Sequence, residues 1–359
     1  MAKKQKTEET NEKLLQLEAL FGKGTVVTAS SKKLTDVKEW CKTGSLTLDL
    51  ATNGKGIPKN GMATCILGKE SSGKTTLLLH IIAEAQKENP EAICAFCDIE
   101  GTLDLDYSSE AIGVDLDRLH LIDRESLLKV NGIKDRDIIS GEEWIEIACK
   151  LLKSNLYEIV GFDSIAALIP MVEITNGVQS AQIGRIAALM SKAYRAINSA
   201  LSASKSAFVY LNQYRISPGQ YGNPFIEPGG EAMKYLQALK IEISKSLDKD
   251  TEGIAGIIVK GKVTKSKVCA PYGTFEYYLE LGKGISPFYE VMNLAIELEI
   301  IKKTGNTYTY GENAKIGVGL GQVEEFLKDN PEVLEEIKQK VLLQLNTTPK
   351  EEIVVEEKV

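Results

Sequence analysis

Gly68-Lys69-Glu70-Ser71-Ser72-Gly73-Lys74-Thr75 decides how this chain is read. It satisfies the P-loop spacing G-x-x-x-x-G-K-[ST] at every fixed position. The flanks agree with it. Met62-Ala63-Thr64-Cys65-Ile66-Leu67 is an apolar run suited to a buried strand, and Thr76-Leu77-Leu78-Leu79-His80-Ile81-Ile82-Ala83 suits a helix. Gly68 and Gly73 allow a tight turn whose N–H groups point inward, where the helix N-terminus adds positive potential. Lys74 is placed to neutralise β- and γ-phosphates, and the Thr75 hydroxyl to ligate Mg²⁺. The stretch predicts binding of a nucleoside triphosphate.

Working outward, the 359 residues suit one large domain with smaller attachments, and 43% apolar with 26% charged residues suits an ordinary globular chain. No apolar run is long enough to cross a bilayer. The N-terminus, Met1-Ala2-Lys3-Lys4-Gln5-Lys6, lacks the apolar segment of a signal peptide, so a cytoplasmic location with no membrane partner is expected. The net charge of −7 excludes a chain coated in positive charge for nucleic acid, though not a local basic groove. Cys94-Ala95-Phe96-Cys97 has redox or metal-site spacing. On a strand, however, the odd offset puts the two thiols on opposite faces, so both are expected in the core. With only His80 and His120 present, a zinc site has little support.

Asn11 to Phe21 predicts an amphipathic helix with Leu14, Leu15, Leu17, Leu20 and Phe21 on one face; Thr25-Val26-Val27-Thr28 predicts a short strand. Together they read as an arm that docks elsewhere, with another copy of the chain as one candidate. Leu46, Leu48 and Leu50 alternate as in a half-buried strand, with a short helix capped by Ser45 as the alternative. Strands are expected at Ile93–Ile99, Ile159–Phe162, Ala207–Leu211, Lys240–Ile243, Ile257–Thr264 and Phe275–Leu281. The first three are nearly continuous apolar runs, as strands buried on both faces should be. Helices between them predict an α/β domain with a mostly parallel central sheet, the later strands pairing antiparallel at one edge. Lys129 to Ser140 reads as a surface insertion. From about Ser286 a small α/β C-terminal domain is expected: a helix at Phe288–Leu298, a strand and turn at Tyr308–Gly311, and helices near Val323–Lys328 and Pro331–Leu345.

A P-loop ATPase needs a further magnesium-side carboxylate at a strand end, and Asp163 in Val160-Gly161-Phe162-Asp163-Ser164 occupies such a position. Hydrolysis needs a group that orients or deprotonates water. Glu100 lies just beyond the tip of the strand at Ile93–Ile99, and Gln213, at the tip of the strand at Ala207–Leu211, offers an amide able to sense the γ-phosphate. Tyr214 to Gly230 is a long loop carrying Arg215, Tyr221 and Phe225 among small polar residues, which gives both cation and stacking surfaces for single strands. Lys265 and Lys267, two apart, share one face if their strand continues through Ser266. A solvated strand edge and an anion contact both remain open for them.

Gly68 to Thr76, Cys94 to Glu100, Asp163-Ser164-Ile165-Ala166-Ala167-Leu168, Asn212-Gln213 and Lys265-Ser266-Lys267-Val268-Cys269-Ala270-Pro271 resemble, in order and spacing, the bacterial RecA recombinase family. The resemblance extends from the Asn11 helix to about Leu345. It implies an ATP-dependent helical filament on single-stranded DNA that pairs it with homologous double-stranded DNA. It also implies a nucleotide site formed by Gly68, Glu70, Ser71, Ser72, Gly73, Lys74, Thr75, Thr76, Tyr107 and Asp163, with Thr75 and Asp163 on Mg²⁺. By the same resemblance Glu100 is the catalytic carboxylate, Gln213 the nucleotide-to-DNA relay and Tyr107 a base-stacking residue. Glu173–Ser180 and Tyr214–Gly230 are the DNA loops with Arg185 behind the first, and Lys265 and Lys267 reach a neighbour's γ-phosphate. The implied organisation is an arm at 1–34, a RecA-type ATPase core at 35–285, a small C-terminal domain at 286–345 and an acidic disordered tail at 346–359. The chain departs from the family in the 129–140 insertion, in the short tail, and at Leu281, where an aromatic usually lies beside the nucleotide base. Two rival functions share these residues: a ring-forming DNA helicase motor, and a DNA-coating protein that binds nucleotide without hydrolysing it.

Overall fold

The structure, a computed structural model, describes residues 13–22, 39–130, 138–176, 185–216, 225–247, 256–312 and 314–347. The chain divides into two compact units, Met1–Lys38 and Glu39–Val359. In the first, helix α1 (13–21) presents Leu15, Leu20 and Phe21 as exposed side chains. The strand expected at 25–28 lies outside the described residues.

In the second unit, β1 (Trp40–Cys41) pairs with β2 (Ile57–Pro58), and between them runs helix α2 (Leu46–Ala51). The alternation at Leu46, Leu48 and Leu50 is therefore helical. Ser45 decides it, its side chain accepting a hydrogen bond from the Leu48 N–H as an N-cap. Next come β3 (Met62–Gly68), α3 (Lys74–Glu88), β4 (Cys94–Asp98), β5 (Leu119–Asp123), α4 (Arg124–Val130), α5 (Gly141–Ser154) and β6 (Ile159–Asp163). They are followed by α6 (Met171–Asn176), α7 (Arg185–Leu201), β7 (Ala207–Gln213), β8 (Arg215–Ile216), β9 (Phe225–Ile226), α8 (Gly230–Leu236), β10 (Gln237–Leu247), β11 (Gly256–Ser266), β12 (Thr274–Glu280) and β13 (Gly284–Ile285).

Among the described residues the main sheet has nine strands in the order β13-β12-β11-β10-β3-β7-β6-β4-β5. From β10 to β5 the neighbours are parallel, whereas β10, β11, β12 and β13 pair antiparallel. Side-chain alternation along each strand feeds two cores. Ile66, Phe96, Val209 and Ile241 meet Leu77, Leu78 and Ile81 of α3 on one face. On the other, Cys65, Leu67, Phe162, Phe208 and Tyr210 meet Trp144 and Ile145 of α5 and Leu189 and Met190 of α7. Cys94 falls in the first core and Cys97 in the second, both as free thiols. The stretch 129–140 is not wholly a surface insertion. Ile139 and Ser140 are buried, and Ser140 begins α5 with a reciprocal capping box to Glu143, which ties this end down; residues 131–137 lie outside the described residues.

Helix α9 (Pro287–Glu297), β14 (Ile301–Thr304), β15 (Thr307–Tyr310), β16 (Ala314–Val318), α10 (Leu320–Asp329) and α11 (Pro331–Thr347) complete the chain. They enclose a third core around Met292, Ile301, Tyr308, Val323, Ile337 and Val341. One carboxylate fastens this part to helix α2. Buried Glu290 of α9 accepts from the Ser45 hydroxyl at 2.6 Å, the Thr47 hydroxyl at 2.7 Å, the Thr47 N–H at 2.9 Å and the Leu46 N–H at 3.2 Å. It thereby meets the donor-rich N-terminus of α2. The tail expected at 346–359 lies outside the described residues beyond Thr347.

Candidate active site

The parallel strands β3, β7, β6 and β4 all finish on one edge: Gly68 lies beside Gln213, and Asp98 beside Asp163. In sheets of this kind the crevice beyond the carboxyl ends of the strands is where ligands bind. The P-loop spans the gap between β3 and α3. A Cβ on Gly68 would come within 2.5 Å of Ser72 Oγ and 2.7 Å of the Ile243 carbonyl. Gly73 takes φ of 87° as the left-handed residue before α3, a conformation costly for other side chains. Lys69, Glu70 and Ser71 form the exposed crest, while Ser72 and Lys74 are buried.

Lys74 Nζ donates to the Lys69 carbonyl at 2.7 Å, and Ser72 Oγ donates to the same oxygen at 2.8 Å. Burial holds the Lys74 ammonium below its usual pKa, and the carboxylates of Asp163, Glu100 and Glu70 oppose that shift. Thr75 Oγ1 donates to Asp163 Oδ2 at 2.6 Å. Burial pushes the Asp163 carboxyl up to about 6; the Thr75 hydrogen bond resists, while Glu100 and Asp98 push the same way as burial. Glu100 Oε1 accepts from the Ser164 hydroxyl at 2.6 Å and from Gln213 Nε2 at 3.4 Å. The edge thus gathers Lys74, Thr75, Asp163, Glu100 and Gln213, with Thr76 in the first turn of α3.

Asp98 serves the loop instead. Its carboxylate accepts from the N–H groups of Gly101 at 2.8 Å, Leu103 at 3.1 Å and Thr102 at 3.3 Å, which fixes the turn that presents Glu100. Tyr107 sits half-buried in the following turn, its N–H donating to Asp104 Oδ1 at 2.9 Å. Ser164 was not singled out from the sequence, although it directly follows Asp163. Lys69 was missed as well, because the P-loop pattern leaves its position free.

The remaining site residues lie apart from this cluster or at its rim. Arg215 Nη2 donates to the Ala166 carbonyl at 3.0 Å, and Asn212 Nδ2 reaches the Pro228 carbonyl at 3.1 Å. The Phe225 ring is 6.0 Å from that of Tyr214, centroid to centroid, and has Lys69 Nζ 4.2 Å above its centre. Tyr221 lies outside the described residues, as do 177–180 of the first loop. Arg185 opens α7 with Nη1 3.5 Å from the Val172 carbonyl. Lys265 and Lys267 extend to one side, onto consecutive carbonyls at the end of α8: Lys265 Nζ donates to that of Lys234, and Lys267 Nζ to that of Tyr235 at 2.7 Å. Leu281 is an exposed leucine just past β12.

The pair Thr75–Asp163 offers a hydroxyl and a carboxylate oxygen, the hard donors that Mg²⁺ prefers. Among the described residues no group of three or more His, Cys, Asp or Glu side chains is placed to hold a metal.

Family models agree with this architecture. The RecA N-terminal domain matches residues 8–286 and the RecA C-terminal domain residues 289–346. The protein RecA of Aquifex pyrophilus is 38% identical over 330 residues, covering 91% of this chain and 89% of the relative. That of Thermotoga petrophila is 36% identical over 344 residues (94% and 92%), and that of Acidiphilium cryptum 35% over 335 residues (93% and 92%).

Proposed function

The chain belongs to the bacterial RecA family of DNA-dependent ATPases that carry out homologous recombination, and we propose that the residues at its sheet edge divide that work as follows. The P-loop N–H groups from Gly68 to Thr76, with Glu70, Ser71, Ser72 and Gly73 shaping the loop, cradle the phosphates of ATP. Lys74 exchanges the Lys69 carbonyl for the β- and γ-phosphates. Thr75 and Asp163 hold Mg²⁺, which neutralises charge on those phosphates when bound. Glu100, oriented by the Ser164 hydroxyl, takes a proton from the attacking water. Gln213 joins the same carboxylate to the strand end from which the second DNA loop departs, so it relays between the two ligands. Tyr107 packs on the nucleotide base.

DNA-binding falls to the loops at 173–180 and 214–230, through Arg185, Arg215, Tyr221 and Phe225. Lys265 and Lys267 leave the end of α8 for a neighbour's γ-phosphate. The working form is a homo-oligomeric helical filament in the cytoplasm, with 1–34 as docking arm, 35–285 as ATPase core, 286–345 as C-terminal domain and 346–359 as an acidic disordered tail. The exposed apolar face of α1 supports the arm. Nothing in the matched families favours a ring-forming motor.

The observation that carries the mechanism is Glu100 Oε1 bonded to both Ser164 and Gln213 on the edge that also holds Thr75–Asp163. Electron microscopy with single-stranded DNA and a slowly hydrolysed ATP analogue tests the assembly: helical filaments are expected, and closed rings would refute it. Hydrolysis with and without DNA tests the site. Lys74→Ala should abolish DNA-stimulated turnover, and a variant that still turns over normally would remove the basis of the assignment.

A further inference from the structure

The proposed mechanism leaves one contact of the P-loop unused. Lys69 presents two groups in opposite roles. Its carbonyl is the acceptor that holds Lys74 Nζ at 2.7 Å, while its own ammonium stands 4.2 Å above the Phe225 ring, within the range of an attractive cation–aromatic contact. Phe225 belongs to β9, which pairs with β8 in the register Arg215↔Ile226 and Ile216↔Phe225. This small hairpin forms the two feet of the loop at 214–230.

The foot that carries Phe225 is firmly set. Glu227 accepts from Gln237 Nε2 and from Lys240 Nζ, both at 2.9 Å, and Lys240 also pairs with Glu242 at 2.8 Å. The Glu227 and Lys240 side chains are only 11% and 15% exposed, so this pair is screened far less than a surface one. The Pro228 carbonyl is held by Asn212. The chain beyond Phe225 is therefore pinned, so strain arriving from the loop side is concentrated at β9 and reaches Lys69 through the Phe225 ring.

We propose that Lys69 is a positioning residue for DNA-stimulated ATP turnover and that Phe225, besides its contact with DNA, is the partner through which it acts. Their contact passes movement of the β8–β9 hairpin to the one peptide that holds Lys74 back from phosphate. Lys74 has two alternative acceptors, the Lys69 carbonyl and the phosphates, and DNA at the loop shifts the balance between them through this contact. It is a second route beside Gln213, acting on the phosphate-binding lysine and not on the catalytic carboxylate. The proposal rests on the assignment of 214–230 to DNA.

The test is a double-mutant cycle on the ratio of kcat with saturating single-stranded DNA to the DNA-free kcat, each variant normalised to its own basal rate. Lys69→Met and Phe225→Leu should each lower the ratio roughly two- to fivefold, the range of a partly exposed cation–aromatic contact. The double variant should lose no more than either single one. Lys69→Arg keeps a cation over the ring and should retain the wild-type ratio. Effects that multiply in the double variant, an unchanged ratio in the single ones, or loss in Lys69→Arg would each overturn the coupling. DNA affinity measured by fluorescence anisotropy separates this from the underlying assignment. If Arg215→Ala with Tyr221→Ala leaves affinity intact, the loop is not the DNA site and both fall. If affinity drops there while the ratio is unmoved in Lys69→Met, only the Lys69–Phe225 coupling fails.

Discussion

Glu100 receives two hydrogen bonds on one oxygen, from Ser164 and Gln213, which leaves its other oxygen for water. Glu100→Gln should keep ATP and DNA binding while lowering turnover by at least about 10²-fold, since an amide accepts no proton. Equilibrium binding of a fluorescent nucleotide beside a steady-state rate checks this, and equal loss of both would make Glu100 a structural residue. His80 carries a different kind of consequence. Its Nε2 accepts from the Ile285 N–H at 2.9 Å, tying α3 to β13. Burial holds its pKa down to about 4 from 6.5, with Glu84 opposing. A depressed histidine contributes stability that is present above pH 6.5 and lost as pH falls towards 4, because the unfolded chain takes up the proton first. The stability difference between wild type and His80→Gln should thus shrink by roughly 1–2 kcal/mol across that window, read from denaturation midpoints at each pH. Comparing the two proteins cancels Asp49 and Asp163, whose carboxyls are pushed up to about 6 by burial and act with the opposite sign. At this scale the sequence was legible wherever chemistry and spacing are local, as from Gly68 to Thr75. It was silent on Ser164 and on the Lys69–Phe225 contact, which follow from how distant strands end beside one another.

Among the elements, β3, β4, β6 and β7 could be read directly, because burial on both faces leaves continuous apolar runs. The edge strand β5 could not. In Leu119-His120-Leu121-Ile122-Asp123 only Leu119 is buried, and the run is short and partly polar. Helix α2 reads as a strand because its three leucines alternate; the Ser45 cap and a carboxylate far along the chain in α9, which meets its N-terminus, make it a helix. Removing that carboxylate by Glu290→Ala should lower stability by about 2–3 kcal/mol, as the buried Ser45 hydroxyl and the half-buried donors of Leu46 and Thr47 lose their acceptor. Calorimetry checks it, and an unchanged unfolding profile would show the joint to be dispensable. Helix α8 illustrates a second kind of end. Lys265 and Lys267 place two cations on its last carbonyls, where the helix dipole is negative. In the role proposed for them, reaching a neighbour's phosphate would exchange one set of oxygens for another. Lys265→Ala should therefore fold and bind ATP yet lose most DNA-stimulated hydrolysis, and normal hydrolysis on DNA would leave it a structural cap.

For the whole molecule, a net charge of −7 means that DNA is attracted by a few local cations against a repulsive background. Affinity should fall steeply as salt rises and be indifferent to sequence, since phosphate contacts and stacking carry it. Anisotropy titrations between roughly 50 and 200 mM salt measure the slope, and a flat response would place the DNA elsewhere. Mixing Lys265→Ala with Lys74→Ala tests whether sites are shared between subunits. An interface that combines the intact Lys74 of one with the intact Lys265 of the other is complete, so activity should return at intermediate ratios; none at any ratio would argue for sites confined to single chains. The joint at Glu290 has a bearing on how the molecule is made. Ser45 and Glu290 are 245 residues apart, and a ribosome adding about 5–20 residues per second needs roughly 12–50 s to cover that distance. Through that interval the N–H groups of Leu46 and Thr47 wait on a carboxylate not yet synthesised. Helix α2 is completed by a residue of α9, so the nascent protein cannot finish this joint until α9 has emerged.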